Sequence, residues 1–157
     1  MEPATHTSER ARIAQLAASC ACQNLRRVAR AVTSYYDGLL AEQVGVRIRI
    51  TQVTMLVVLY LAGPQTINEM AEKLDLDRTT LTRNLKPLVQ ERLLTIAPGA
   101  DQRTRVASLT PEGEQKLLEI LPLWERAQAH MVDGIGQGQF GAWLNQLSNV
   151  ATLAQQQ

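Results

Sequence analysis

The stretch from Asp77 to Thr110, DRTTLTRNLKPLVQERLLTIAPGADQRTRVASLT, most constrains how this chain can fold, because it runs an amphipathic helix straight into a basic hairpin. Asp77 can cap a helix through its carboxylate, and Leu81, Leu85, Leu88 and Val89 then recur at three- and four-residue spacing on one face. The remaining surface carries Arg78, Thr79, Thr80, Thr82, Arg83, Asn84 and Lys86. These side chains can donate to phosphates or hydrogen-bond to base edges without pressing an uncompensated carboxylate against a nucleic acid. Pro87 implies a local kink unless packing compensates. Leu93 to Ala97 and Arg105 to Leu109 then read as two short strands, and the Pro98-Gly99-Ala100-Asp101 turn leads to Arg103 at the tip. A guanidinium in that place suits a minor groove, whose negative potential attracts it.

Charge is distributed in a way that supports this reading more than its sum does. The formal net charge is only +1 over 157 residues. Between Arg78 and Arg105, however, the cations Arg78, Arg83, Lys86, Arg92, Arg103 and Arg105 face only Glu91 and Asp101, while Glu112, Glu114, Glu119 and Glu125 lie beyond. A local basic surface on a near-neutral protein fits a sequence-specific DNA binder. With 45% hydrophobic and 20% charged residues, one domain spanning residues 1–157 is expected. The longest apolar run, Met55 to Ala62, ends at Gly63-Pro64, well short of the roughly 20 residues that cross a bilayer. Glu2, His6, Glu9 and Arg10 stand where a secretory signal would be apolar, so a cytoplasmic location with no membrane association is expected. In that compartment Cys20 and Cys22 read as thiols.

The rest of the chain reads as helices around this unit. Beyond polar residues 1 to about 9, the positions Ile13, Leu16, Ala17, Cys20, Leu25, Val28, Val32, Tyr35 and Leu39 support one long helix from about Arg10 to Leu40. Ala18, Cys22 and Ala29 give it a second apolar side, as expected of a helix that serves its own subunit and a partner chain. Val44 to Arg49 is a connection, and Thr51 to Leu61 is a short buried helix stopped by Gly63-Pro64. Thr66 and Glu69 form a capping-box pattern that opens a helix over Ile67 to Leu74, followed by a turn at Leu76-Asp77. Thr110-Pro111-Glu112 starts another helix, to about Val132, with Pro122 as a bend and an apolar face of Leu117, Leu118, Leu121, Trp124, Ala127 and Met131. Gly134, Gly136 and Gly138 break the chain before a final amphipathic helix carrying Phe140, Trp143, Leu144, Leu147 and Val150.

The run from Thr51 to about Gln128 resembles the multiple-antibiotic-resistance regulator (MarR) family of winged helix-turn-helix transcription factors. TQVTMLVVLYLAGPQTINEMAEKLDLDRTTLTRNLKPLVQERLL, then DQR in the wing, LTPEGEQKL and LPLWERAQ carry the resemblance in order. It implies a mainly α fold with a small β-hairpin wing, in which residues 49–111 form the winged helix-turn-helix lobe and residues 10–48 and 112–157 supply dimerisation helices. It further implies a homodimer on a pseudo-palindromic duplex operator, with Asp101 and Arg103 as wing acid and wing arginine; Arg105, which begins the second strand, is a further candidate DNA contact. Arg30, Tyr35, Tyr36, Arg47 and Arg49 lie where family members bind small ligands, and an arginine beside aromatics can hold an aromatic carboxylate or phenol. The reading is a repressor released by a small-molecule effector.

Two alternatives accompany it. Cys20 and Cys22 can act as redox or soft-metal sensing thiols, although two residues apart on a helix they point about 200° away from each other and cannot easily bridge. Otherwise they are small packing residues. A winged helix used only for protein interaction would share the fold but lack salt-dependent affinity for duplex DNA. Catalysis finds no support: His6 and His130 sit in no nucleophile-base pair, metal-ligand spacing or phosphate-binding loop, so neither enzymatic activity nor a metal or other cofactor is expected.

Overall fold

The computed structural model describes residues 4–42, 48–101 and 103–156. Its elements in chain order are α1 (Ala4–Ser19), α2 (Ala21–Ala41), α3 (Ile50–Ala62), β1 (Gln65–Thr66), α4 (Ile67–Lys73), α5 (Arg78–Gln90), β2 (Leu94–Pro98), β3 (Arg105–Leu109), α6 (Pro111–Ile135) and α7 (Gln137–Gln155). Helices dominate, and the three strands form one small antiparallel sheet in the order β1-β3-β2. Pairing of Leu94 with Leu109, Ile96 with Ala107 and Pro98 with Arg105 sets the hairpin register. That register turns Leu94 and Ala107 into the core, and Pro98 lies at the end of an edge strand, where its missing N–H costs no ladder bond.

One core holds the lobe of α3 to β3 together. Val53, Met55, Leu56 and Leu59 of α3 meet Met70 of α4, Leu81, Leu85 and Leu88 of α5, and Leu94 and Ala107 of the sheet, all essentially inaccessible to water. Full burial of each leucine stabilises by about 1.5 to 3 kcal/mol. Caps fix where the helices start. Thr66 Oγ1 accepts from the Glu69 amide at 3.2 Å while Glu69 Oε2 accepts from the Thr66 amide at 2.7 Å, the reciprocal pair its spacing implied. Thr110 Oγ1 accepts from the Gly113 amide at 2.9 Å and opens α6 just ahead of Pro111. No described helix is long and apolar enough to cross a membrane.

Several expectations need correction. The N-terminal helix starts earlier than expected, at Ala4, and is two helices, not one. Cys20 leaves the helical region (φ −65°, ψ 113°), and the Asn24 amide donates at 3.0 Å to the carbonyls of both Ala18 and Cys20. An asparagine side chain that takes over backbone acceptors offers the chain an alternative to a continuous helix. Cys20 and Cys22 therefore do not sit two apart on one helix, and the 200° argument against their meeting does not apply. On α6 the buried set is Leu117, Ile120, Leu123 and Ala127, whereas Leu118 and Leu121 are exposed. Val89 is likewise exposed at the end of α5. Of Gly134, Gly136 and Gly138 only Gly136 (φ +97°) interrupts the helices; Gly134 lies inside α6 and Gly138 inside α7. α5 and α6 continue through Pro87 and Pro122. Strand β1 adds a third partner to the expected hairpin. The Val44 to Arg49 connection lies mostly outside the described residues.

Candidate nucleic-acid interface

The recognition helix α5 starts where Asp77 Oδ1 accepts from the Thr80 amide at 2.9 Å. The Thr80 hydroxyl and then its amide hold the Asp77 carboxyl below its ordinary range, so it is ionised at the positive end of the helix dipole. Packing of Leu81, Leu85 and Leu88 into the core orients the rest. Arg78, Thr79, Thr82, Arg83 and Lys86 are exposed, whereas Thr80 and Asn84 are half-buried. The five exposed side chains line an open groove together with Val89 and Gln90 of α5 and Ile96 of β2.

Hydrogen bonds within the helix decide what each group can still offer. The Thr82 hydroxyl donates to the Arg78 carbonyl at 2.7 Å, which leaves its oxygen as an acceptor, suited to the amino groups of adenine or cytosine. Thr80 is engaged with Asp77 and is the least free of the predicted readers. Pro87 has no N–H, so the Arg83 carbonyl lacks its usual helical donor.

The wing is ordered by its acid. Asp101 Oδ1 accepts from the Arg103 amide at 3.0 Å, and its carbonyl accepts from the Thr104 amide and hydroxyl, both at 2.8 Å. The Gly99 amide closes the turn on the Thr104 carbonyl at 3.0 Å. Asp101 therefore shapes the backbone beneath Arg103, and Arg103 and Arg105 are both exposed.

The residues predicted for an effector are placed less coherently. Tyr36 is buried between α2 and α6 and its hydroxyl contacts Gln128 Oε1 at 2.9 Å; burial, then Tyr35, raises its pKa, so it is a neutral donor. Tyr35 stacks on His130 with ring centroids 4.8 Å apart. Sequence does not mark Gln128 and His130 as partners, since their periodicity on α6 gives no hint of what lies opposite. Arg30 and Arg49 are exposed, and Arg47 lies outside the described residues. Cys20 is half-buried at the α1/α2 break and Cys22 is exposed.

Comparison with known proteins agrees with this geometry. The MarR family model matches residues 48–98, which take in α3, the helix-turn-helix and β2. MosR, a transcriptional regulator of M. tuberculosis solved in complex with DNA, is 32% identical and superimposes with a TM-score of 0.78 over 87% of this chain and 96% of that one. Two more distant proteins share the fold. PcaV of Streptomyces coelicolor, solved with its natural ligand, is 18% identical with a TM-score of 0.79 over 88% of this chain and 96% of its own. BpsR of Bordetella bronchiseptica, whose DNA binding is regulated by 6-hydroxynicotinic acid, is 19% identical with a TM-score of 0.75 over 85% and 94%. No curated protein sequence matches the chain. The chain belongs to the MarR family of DNA-binding transcriptional regulators.

Proposed function

We propose that this regulator acts as a homodimeric repressor on a pseudo-palindromic operator and is released by a small-molecule effector. The observation that carries the DNA-reading assignment is the open groove on α5, lined by Arg78, Thr79, Thr82, Arg83 and Lys86 beside a wing bearing Arg103 and Arg105. In this reading Thr79, Thr82, Arg83 and Asn84, with Thr80 in a lesser part, face the major groove. Arg78 and Lys86 hold phosphates, Asp101 shapes the wing, and Arg103 enters the minor groove. Dimerisation is supported by the apolar surface that the isolated subunit leaves in water: Ile13 and Leu16 of α1 are 65% and 68% exposed, and Leu25, Val28, Leu118, Leu144, Val150 and Leu153 extend the same kind of surface over the chain ends. Effector release draws on the ligand-regulated relatives, with Tyr35, Tyr36, Arg30, Arg47 and Arg49 as candidate contacts.

Fluorescence-anisotropy titration of duplex from the protein's own upstream region, at two salt concentrations, tests the reading. Saturable binding with a steep salt dependence is expected, and Arg103→Ala should weaken it by about 1 to 3 kcal/mol. Salt-independent or absent binding to any duplex would point to a protein-interaction module instead.

A second reading, in which oxidants or soft metals are sensed through Cys20 and Cys22, is favoured by one observation: the break at Cys20 removes the helical geometry that would hold the two thiols apart. A thiol modified there would act on the angle between α1 and α2. Replacing both cysteines with serine abolishes oxidant-dependent release of DNA if this reading holds and leaves it intact otherwise.

A further inference from the structure

Gln52 is the one buried polar side chain among the described residues, 7% exposed on a helix that otherwise sends Val53, Met55 and Leu56 into the core. A buried primary amide is costly unless both its ends find partners. Its Oε1 accepts from the Arg49 amide at 3.0 Å, and its Nε2 donates to the Asn84 carbonyl at 3.4 Å, in the middle of the recognition helix. On the next residue, the Ile50 amide donates to Asp37 Oδ1 of α2 at 2.7 Å. The two amides are those of the N-cap and first residue of α3, at the end where a helix leaves donors unused. Two side chains thus connect α2 to α5 through one helix start: Asp37 holds it from the side of the chain ends, and Gln52 carries it to the reading face.

We infer that Gln52 is a positioning residue for DNA recognition, transmitting the placement of the α3 N-terminus, fixed to α2 by Asp37, onto the recognition helix at Asn84. The inference rests on the DNA-reading role proposed for α5 and adds the route by which a change of helix position near α2 reaches it. The lengths of the bonds suit that role. The Asp37 bond is short, whereas the Asn84 bond is at the long end of hydrogen-bond geometry, so a shift of a few tenths of an ångström makes or breaks it. Neighbouring Arg83 and Asn84 are two of the groups assigned to base edges, so the contact acts where register matters.

The test uses the full chain, a duplex selected by the wild-type protein from a random-sequence pool, and a scrambled duplex of equal length. Gln52→Met keeps the side-chain volume and removes both hydrogen bonds. It should lower affinity for the selected duplex about three- to tenfold and leave the scrambled duplex unaffected, because phosphate contacts are untouched. Gln52→Glu supplies a readout that packing alone would not move. As a carboxylate it has no proton to donate to the Asn84 carbonyl, and once protonated it regains a donor there. Its affinity for the selected duplex, relative to wild type at each pH, should therefore recover as the pH falls from about 8 to about 5, and that of Gln52→Met should not.

Wild-type affinity in Gln52→Met would overturn the inference while leaving the DNA-reading role standing. So would a loss shared by both duplexes in proportion to a lower folded fraction, or a Gln52→Glu variant with no acid recovery. A wild-type protein that selects no duplex would instead overturn the DNA-reading role, and the inference with it.

Discussion

Helices α5 and α7 are both amphipathic, yet α5 buries Leu81, Leu85 and Leu88 almost completely whereas α7 buries no residue at all. Apart from Val89 at its end, the first helix finds its apolar partners inside its own subunit. The second carries Phe140, Trp143, Leu144, Leu147 and Val150 toward a surface that the single chain does not complete. An apolar stripe thus specifies that something must cover it, not what. The difference separates a lobe whose stability is its own from ends whose stability, in the proposed dimer, depends on protein concentration.

Substitutions on the two sides of this comparison should behave differently in kind. Leu85→Ala should cost about 2 to 5 kcal/mol in denaturant unfolding, by lost transfer energy and a residual cavity. Leu144→Ala should instead shift the concentration at which the dimer dissociates in sedimentation. A Leu144→Ala protein that unfolds as easily as Leu85→Ala and sediments unchanged would erase the distinction. Gly113→Ala probes the lobe's seam between α6 and the sheet. A Cβ there would lie 1.9 Å from the Leu93 carbonyl oxygen, which already accepts from the Thr110 amide at 3.2 Å. Backbone must shift, at a cost of about 1 to 3 kcal/mol, visible as a lower melting temperature. An unchanged melt would mean that this seam is loose.

Smaller effects come from the caps. Thr66→Ala should remove about 1 kcal/mol from the lobe in denaturant unfolding. Glu69 is held below its ordinary range first by the Thr66 amide, and Asp77 first by the Thr80 hydroxyl. A depressed value in the folded state means that the unfolded chain binds more protons over that interval. The contribution is therefore complete above the ordinary carboxylate range and is lost as the pH falls through the lowered folded values. Asp77→Asn keeps a capping oxygen without the titrating proton, so its acid unfolding curve should lose part of its slope. A curve parallel to that of wild type would remove Asp77 from the account of acid sensitivity.

What was legible in the sequence follows the same division. Caps are local chemistry, so Thr66 with Glu69, Asp77, and Thr110 before Pro111 could be read three residues at a time, and with them the starts of α4, α5 and α6. The phase of α6 could not, because LLEILPLW is apolar on more than one side and periodicity alone does not choose Ile120 and Leu123 over Leu118 and Leu121. The break at Cys20 was hidden for a different reason. It has neither glycine nor proline, and depends on Asn24 reaching back to carbonyls that a continuous helix would have used. Of the interface, charge and residue type showed which side chains could face DNA, while the engagement of Thr80 with Asp77, the donation from Thr82 to Arg78 and the burial of Gln52 emerge only when distant or competing partners are placed.

The most direct test of the central claim is to change the spacing between half-sites. Two recognition helices held by one rigid dimer must meet major grooves about 34 Å apart, one turn of B-DNA. Inserting about half a turn, roughly 5 base pairs, between the half-sites of a selected operator puts the second on the opposite face of the duplex. The account predicts that anisotropy titrations will show affinity falling toward that of a single half-site, and recovering in part when a full turn is inserted. Equal affinity for all three duplexes would contradict a dimer that reads DNA with its two α5 helices together.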